Sequence, residues 1–162
     1  MAGTQFERQE LGLIAAVNSG YGTNNSPFTL IGSNSIRIAN CISAEKFEGR
    51  SKAGTEPYTD VVINLSGNKS INISNKGESA PSIAGGGLEG LEMAVPGLTK
   101  KFLESALKKY KQLGYKEGMS NIPDMYGKVS NELKELIVVG NAAMGGPIHY
   151  MYIGPIDVTS RQ

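Results

Sequence analysis

Residues 59–65 read Thr-Asp-Val-Val-Ile-Asn-Leu, residues 66–69 Ser-Gly-Asn-Lys, and residues 70–76 Ser-Ile-Asn-Ile-Ser-Asn-Lys. Two β-rich runs joined by a Gly-Asn turn form the pattern of a hairpin, and no other stretch restricts the fold as tightly. Alternate residues of a strand share a face. Val61, Ile63 and Leu65 therefore make one apolar set, and Ile71 and Ile73 another. The opposite faces carry Asp60, Val62 and Asn64, and Asn72, Ser74 and Lys76. Asp60 opens the first run and Lys76 closes the second, so a hairpin brings them to one end. They share a face as well if the connection holds an odd number of residues or one bulge. Gly67 and Asn68 permit this because both residue types tolerate φ > 0.

The rest of the chain reads as a frame around that hairpin. Its 162 residues predict a single domain, 1–162. The 21 glycines argue for tight turns and backbone-lined loops rather than a helical bundle. Residues 3–18 are expected to form a helix with Phe6, Leu13, Ile14 and Val17 on one stripe, Thr4 as cap and Gly20 as its end. Residues 19–34 read as an irregular loop, 35–43 as a strand or a short helical turn, and 45–56 as a polar loop. A glycine-rich loop is expected over 77–87, then a short helix over 88–95 stopped by Pro96. Thr99 would cap a strong helix reaching Leu113, with Phe102, Leu103, Ala106, Leu107, Tyr110 and Leu113 on one stripe and five lysines on the other side. Gly114 would close it. A further helix over 129–139 and a strand over 147–153 complete an α/β architecture: a mixed central sheet built on the hairpin, with helices on its faces.

Composition removes several classes of chemistry. Cys41 is the only cysteine and His149 the only histidine, which excludes disulfides within the chain, thiolate clusters and multi-histidine zinc sites. Cys41 lies in an apolar run and is expected to be buried and inert. His149, within Pro-Ile-His-Tyr-Met-Tyr-Ile, reads as a structural or interface residue. The net charge of +1 excludes a strongly basic tail but leaves room for a local basic patch. No apolar run approaches the roughly 18 residues of a membrane span, and residues 1–10 lack the apolar stretch of a signal peptide. A cytoplasmic protein with no membrane partner is the expectation.

Asp60 and Lys76 have two readings. One is a surface ion pair, which is common and contributes little. The other is a site, and a resemblance favours it. Residues 56–92 resemble the core of the PD-(D/E)xK nucleases, which is restriction-endonuclease-like. That family carries an acid at a strand start, a hairpin, and a second strand ending in (D/E)xK. Here Thr59-Asp60-Val61-Val62-Ile63 matches the first element and Ile73-Ser74-Asn75-Lys76-Gly77 the second. Ser74 stands where the acid is usual. In this it resembles a minority of restriction endonucleases with Ser-x-Lys, whose carboxylate comes from the following helix. Twelve residues separate Lys76 from Glu89, and Glu92 lies one helical turn further on. Glu78 is closer but sits past Gly77, where the strand should have broken. The family also opens with a helix bearing a glutamate that reaches the site; Glu7 and Glu10 are the candidates, with Glu10 preferred.

The resemblance implies Mg²⁺-dependent cleavage of DNA, with Mn²⁺ as a substitute. Asp60 and Glu89 would hold the metal, and the Asn75 carbonyl would be an extra ligand. Lys76 would orient or deprotonate the attacking water and offset charge on the phosphate, and Glu10 would tune a second water or metal. Lys100, Lys101 and Lys108 would contact phosphates, against the plainer reading of a solvated helix face. A homodimer would present two sites to a duplex, with the strand around Tyr150, Met151 and Tyr152 as its interface. The same resemblance suggests a phage-encoded protein, for which a virion-associated location is the alternative to the cytoplasm. The competing reading is a non-catalytic assembly or DNA-binding protein that keeps a degenerate nuclease scaffold, with Ser74 as the sign of decay. Residues 85–90, Gly-Gly-Gly-Leu-Glu-Gly, contain G-x-G-x-x-G, but no strand directly precedes them and Pro96 breaks the helix they open, so a dinucleotide site is disfavoured.

Overall fold

The computed structural model describes residues 5–33, 35–49, 57–76, 91–93, 95–124 and 126–153. Its elements are α1 (Gln5–Asn24), β1 (Phe28–Ile31), β2 (Arg37–Lys46), β3 (Val61–Leu65), β4 (Lys69–Lys76), α2 (Leu98–Gln112), α3 (Asn131–Val139), a 3-10 turn (Ala142–Met144) and β5 (Tyr150–Ile153). One five-stranded sheet runs in the order β1-β2-β3-β4-β5. The first four strands are successively antiparallel, and β5 lies parallel to β4. The fold is therefore α/β, with a mixed sheet and flanking helices.

The hairpin forms as its sequence dictates. Val61 stands opposite Ile73, Ile63 opposite Ile71 and Leu65 opposite Lys69. The connection is Ser66, Gly67 and Asn68, one residue shorter than the Ser-Gly-Asn-Lys stretch, because Lys69 is already paired. Gly67 (φ 80°) and Asn68 (φ 57°) both occupy the left-handed region that the tight reversal requires.

Each face of the sheet carries its own core. Val61, Ile63 and Ile73 join Leu13 and Val17 of α1 and Ile38, Cys41 and Ala44 of β2. Tyr150 and Tyr152 of β5 pack against this group. Across the sheet, Tyr58, Leu91, Met144 and Ile148 form a smaller core, joined by Met151 and by Leu136 and Ile137 of α3. The Asn18 side chain ties α1 to the sheet. Its amide donates to the Ala44 carbonyl at 3.1 Å and accepts from the Ala44 N–H at 2.8 Å. It thereby satisfies backbone groups of β2 beyond the last residue paired to β1. Cys41 is fully buried, as expected, and burial pushes its thiol pKa up.

Several boundaries differ from the sequence reading, each for a local reason. The first helix passes Gly20 and ends only where Asn25 (φ 48°) returns its N–H to the Tyr21 carbonyl. Gly20 serves packing instead: a Cβ there would stand 2.8 Å from the Phe28 ring. The expected loop over 19–34 contains the end of α1 and all of β1, an edge strand of only four residues. The 35–43 segment is strand from Arg37 onward, and β2 continues to Lys46, into what reads as a polar loop. Polar residues are tolerated there because Glu45 and Lys46 are exposed at the sheet's end. Helix α3 begins at Asn131, with the Ser130 side chain accepting from the Leu133 N–H.

The largest correction concerns α2. Among the described residues its apolar stripe enters neither core. Ala106 alone is buried, while Phe102, Leu103, Leu107 and Leu113 are 41 %, 47 %, 67 % and 61 % exposed. An amphipathic pattern states which face is apolar, not that the same chain covers it. Gly114 (φ 84°) follows the helix as expected.

Two isoleucines provide a check on this distribution. Ile63 is fully buried and Ile31, on the edge strand, is 51 % exposed. Ile63→Ala should cost about 2–5 kcal/mol, and Ile31→Ala about 0.5 kcal/mol or less, in urea unfolding followed by circular dichroism.

Candidate functional site

The hairpin register decides what its end presents. Because three residues connect the strands, even-numbered positions of β3 and β4 share one face. Asp60 immediately precedes β3, and its N–H donates to the Ile73 carbonyl at 2.9 Å. Its Oδ2 accepts the Asn75 N–H at 2.6 Å and lies 3.5 Å from the Ser74 hydroxyl. A side-chain oxygen thus takes the place of a backbone carbonyl at the last rung. That hydrogen bond fixes the carboxylate beside β4 while the chain turns away. Residues 58 and 59 donate instead to the carbonyls of Met144 and Gly145. Lys76 follows Ser74 by two residues and shares its face, half-buried at the end of β4.

The structure therefore brings Asp60, Ser74 and the Asn75 backbone together, with Lys76 on the same face. Glu10 takes a different position. It stands 3.8 Å from Lys46, which pairs in register with Val61, at the same end of the sheet but on the α1 face. Glu89 and Glu78, with the whole glycine-rich loop, lie outside the described residues. Glu92 is engaged elsewhere. Its carboxylate accepts the N–H groups of Gly97 and Thr99 and the Thr99 hydroxyl, so it caps α2. The sequence assigns that cap to Thr99; here Thr99 is a donor to the capping acid, and Gly97 is the N-cap residue. Lys100, Lys101 and Lys108 are exposed on α2.

Sequence reasoning missed the polar groups behind this end of the sheet. Asn75 is 6 % exposed and Thr59 only 1 %, and among the described residues neither the Asn75 amide nor the Thr59 hydroxyl has a hydrogen-bond partner. Such groups are rare in folded proteins, because each unpaired buried polar atom costs about 1–3 kcal/mol. The signal lay in the sequence: Asn75 is the polar residue in the apolar register of Ile71 and Ile73.

His149 has a structural task. Its Nδ1 accepts the Asn72 N–H at 2.9 Å, which fixes the ring as the Nε2–H tautomer when neutral, and its own N–H donates to the Asn72 carbonyl. The Asn72 side chain adds a bond to the Pro147 carbonyl at 2.8 Å. Together these contacts lock the entry of β5 onto β4. The side chains of β5, expected at an interface, are used within the chain: Tyr150 and Tyr152 on the first core, Met151 on the second.

A hard divalent cation such as Mg²⁺ takes oxygen ligands, often one or two carboxylates with the remainder water. Among the described residues no three acidic, histidine or cysteine side chains gather into such a group. Asp60, fixed by the Asn75 backbone N–H, is one donor of the right chemistry, while the Asn75 side-chain oxygen belongs to the register of the opposite face. The chain matches no family model, no curated protein and no solved structure.

Two measurements test these roles. Asp60→Ala leaves the Asn75 N–H without its acceptor and should cost about 1–3 kcal/mol in urea unfolding. Asp60→Asn keeps an oxygen there and should cost less. For Glu92, the Thr99 hydroxyl and then the Gly97 N–H hold the carboxyl pKa below its ordinary 4.5. Its contribution to stability is therefore complete above that value and is lost as pH falls through the lowered native one. Glu92→Gln should reduce the melting temperature at neutral pH and flatten its decline below pH 4.5.

Proposed function

We propose that this protein is a metal-dependent endonuclease that hydrolyses DNA phosphodiester bonds through Asp60 and Lys76. The observation that carries the reading is the register. It sets a carboxylate anchored on the Asn75 N–H and a lysine two residues beyond Ser74 on one face, at one sheet end. In the PD-(D/E)xK pattern, that is where acid and lysine are required. Asp60 and Glu89 would hold Mg²⁺, with the Asn75 carbonyl as a further ligand. When bound, the ion would supply Lewis-acid activation of phosphate and water. Lys76 would hold or deprotonate the attacking water and place positive charge against the developing phosphorane. Lys100, Lys101 and Lys108 would meet backbone phosphates of the duplex. Glu10, paired with Lys46 on the opposite face, would act from behind the sheet end rather than on substrate.

Ser74 supports a second reading, a non-catalytic assembly or DNA-binding protein on the same scaffold. Its hydroxyl faces the Asp60 carboxylate where a second acid would otherwise stand.

Plasmid cleavage separates the two. The wild type should nick or cut in Mg²⁺ or Mn²⁺ and not in EDTA. Lys76→Ala and Asp60→Asn should each reduce the single-turnover rate by about 10²–10³-fold or more. Duplex binding and the unfolding midpoint of Lys76→Ala should stay near wild type. A chain that cuts nothing with any divalent metal, or a Lys76→Ala variant as fast as wild type, returns the decision to the assembly reading.

A further inference from the structure

Two helix faces, one exposed on α2 and one half-buried and rimmed by exposed acids on α3, have opposite charge and matching apolar spacing. On α2, Lys100, Leu103, Leu107 and Lys111 follow one edge at helical intervals, and all four are exposed. Leu107, at 67 % exposure, is the most open leucine of the described chain. The helix bears five lysines and a single acid, Glu104. On α3, Glu132, Glu135, Leu136 and Val139 lie on one side, again at intervals of three and four; the two acids are exposed, while Leu136 and Val139 are half-buried and Leu136 also touches the second core. They line an open hollow of about 310 Å³ with Gly140 and Pro147. Leu136 and Ile137 anchor α3 to the second core, where the Ile137 carbonyl accepts the Tyr58 hydroxyl at 2.7 Å.

We infer that these two faces dock on each other between copies of the chain: the α2 edge of one molecule seats Leu103 and Leu107 in the α3 hollow of the next. Lys100 and Lys111 flank the leucines, and Glu132 and Glu135 rim the hollow. Charge complementarity selects this occupant. Two α2 faces brought together would set ten lysines against two acids and repel. A duplex would satisfy the lysines, Lys100 among them, but leave the leucines in water, so DNA and a neighbouring copy would compete for this edge. The acidic, partly apolar face of α3 meets both requirements. Made reciprocally, the α2-on-α3 contact gives a two-fold dimer; made once per copy, it closes into a ring or runs on as a filament, according to the rotation per copy. Association of this kind does not depend on cleavage.

Sedimentation velocity of the full chain, without nucleic acid, over a rising concentration series tests the proposal. The wild type should form a concentration-dependent oligomer that weakens as salt is raised. Leu107→Asp should weaken association about tenfold or more. The pair Lys100→Glu with Lys111→Glu should do the same, as should Glu132→Lys with Glu135→Lys. All these side chains are exposed, and unchanged circular dichroism will show that the variants fold. Mixing the two charge-reversed proteins should restore association, because each then offers the other a complementary face. Restoration on mixing is specific to α2-on-α3 pairing. A wild type that remains monomeric at hundreds of micromolar overturns the proposal. So does a charge-reversed pair that associates as wild type, or a mixture that stays monomeric. Binding of the monomer to duplex DNA or to phosphatidylserine vesicles, without self-association, would assign the α2 edge to that partner instead.

Discussion

An odd number of residues between β3 and β4 governs most of what this molecule presents. With three residues in the turn, Val61, Ile63, Ile71 and Ile73 fall on one face and seal against α1. The same parity sends Asp60, Ser74 and Lys76 to the other face. A single insertion in the turn would exchange faces for one strand and would place isoleucines in water and a lysine in the core. Core formation and site assembly are thus one decision. The hydrophobic effect enforces the register, and the polar end of the hairpin follows without separate cost.

The sheet end is built by substitution of one hydrogen-bonding group for another. Asp60 supplies the acceptor for the Asn75 N–H that a continuing β3 backbone would have supplied. This lets residues 58 and 59 leave β4 and pair with Met144 and Gly145. The departure in turn admits Tyr58 to the second core, where its hydroxyl reaches the Ile137 carbonyl. The carboxylate thus has a structural task besides any chemical one. That is why isosteric replacement, which preserves an oxygen, separates the two roles better than truncation. The enclosed Asn75 amide and Thr59 hydroxyl leave polar capacity close behind the same point.

Away from the sheet the molecule is organised differently. Helix α1 is bound to β2 by packing and by the Asn18 amide, and α3 by the second core. Helix α2 instead starts from the Glu92 cap and keeps most of its apolar side chains exposed. Its amphipathic pattern has no burial within the described chain to match it. A complementary surface on a neighbouring molecule gives that pattern a physical purpose.

The sequence by itself determined the hairpin, its turn residues, the side of each strand that is apolar, the buried cysteine and the approximate span of three helices. These are local matters: alternation, helical period and left-handed turn residues act over a few neighbours. Asp60 and Lys76 were legible as an end-of-hairpin pair for the same reason, since parity and turn length are countable. The tertiary structure decided the rest. Edge strand β1 is four residues with no strong alternation, and only pairing with β2 makes it a strand. Gly20 ends helices in general, yet here it is held inside α1 by the approach of Phe28. Glu92 and Glu10 are chemically fit for a site, but their places depend on which donors the folded chain brings to them, Thr99 and Lys46. The apolar stripe of α2 states a preference for burial. Whether that preference is met inside the chain depends on contacts among residues distant in sequence, to which local periodicity carries no information.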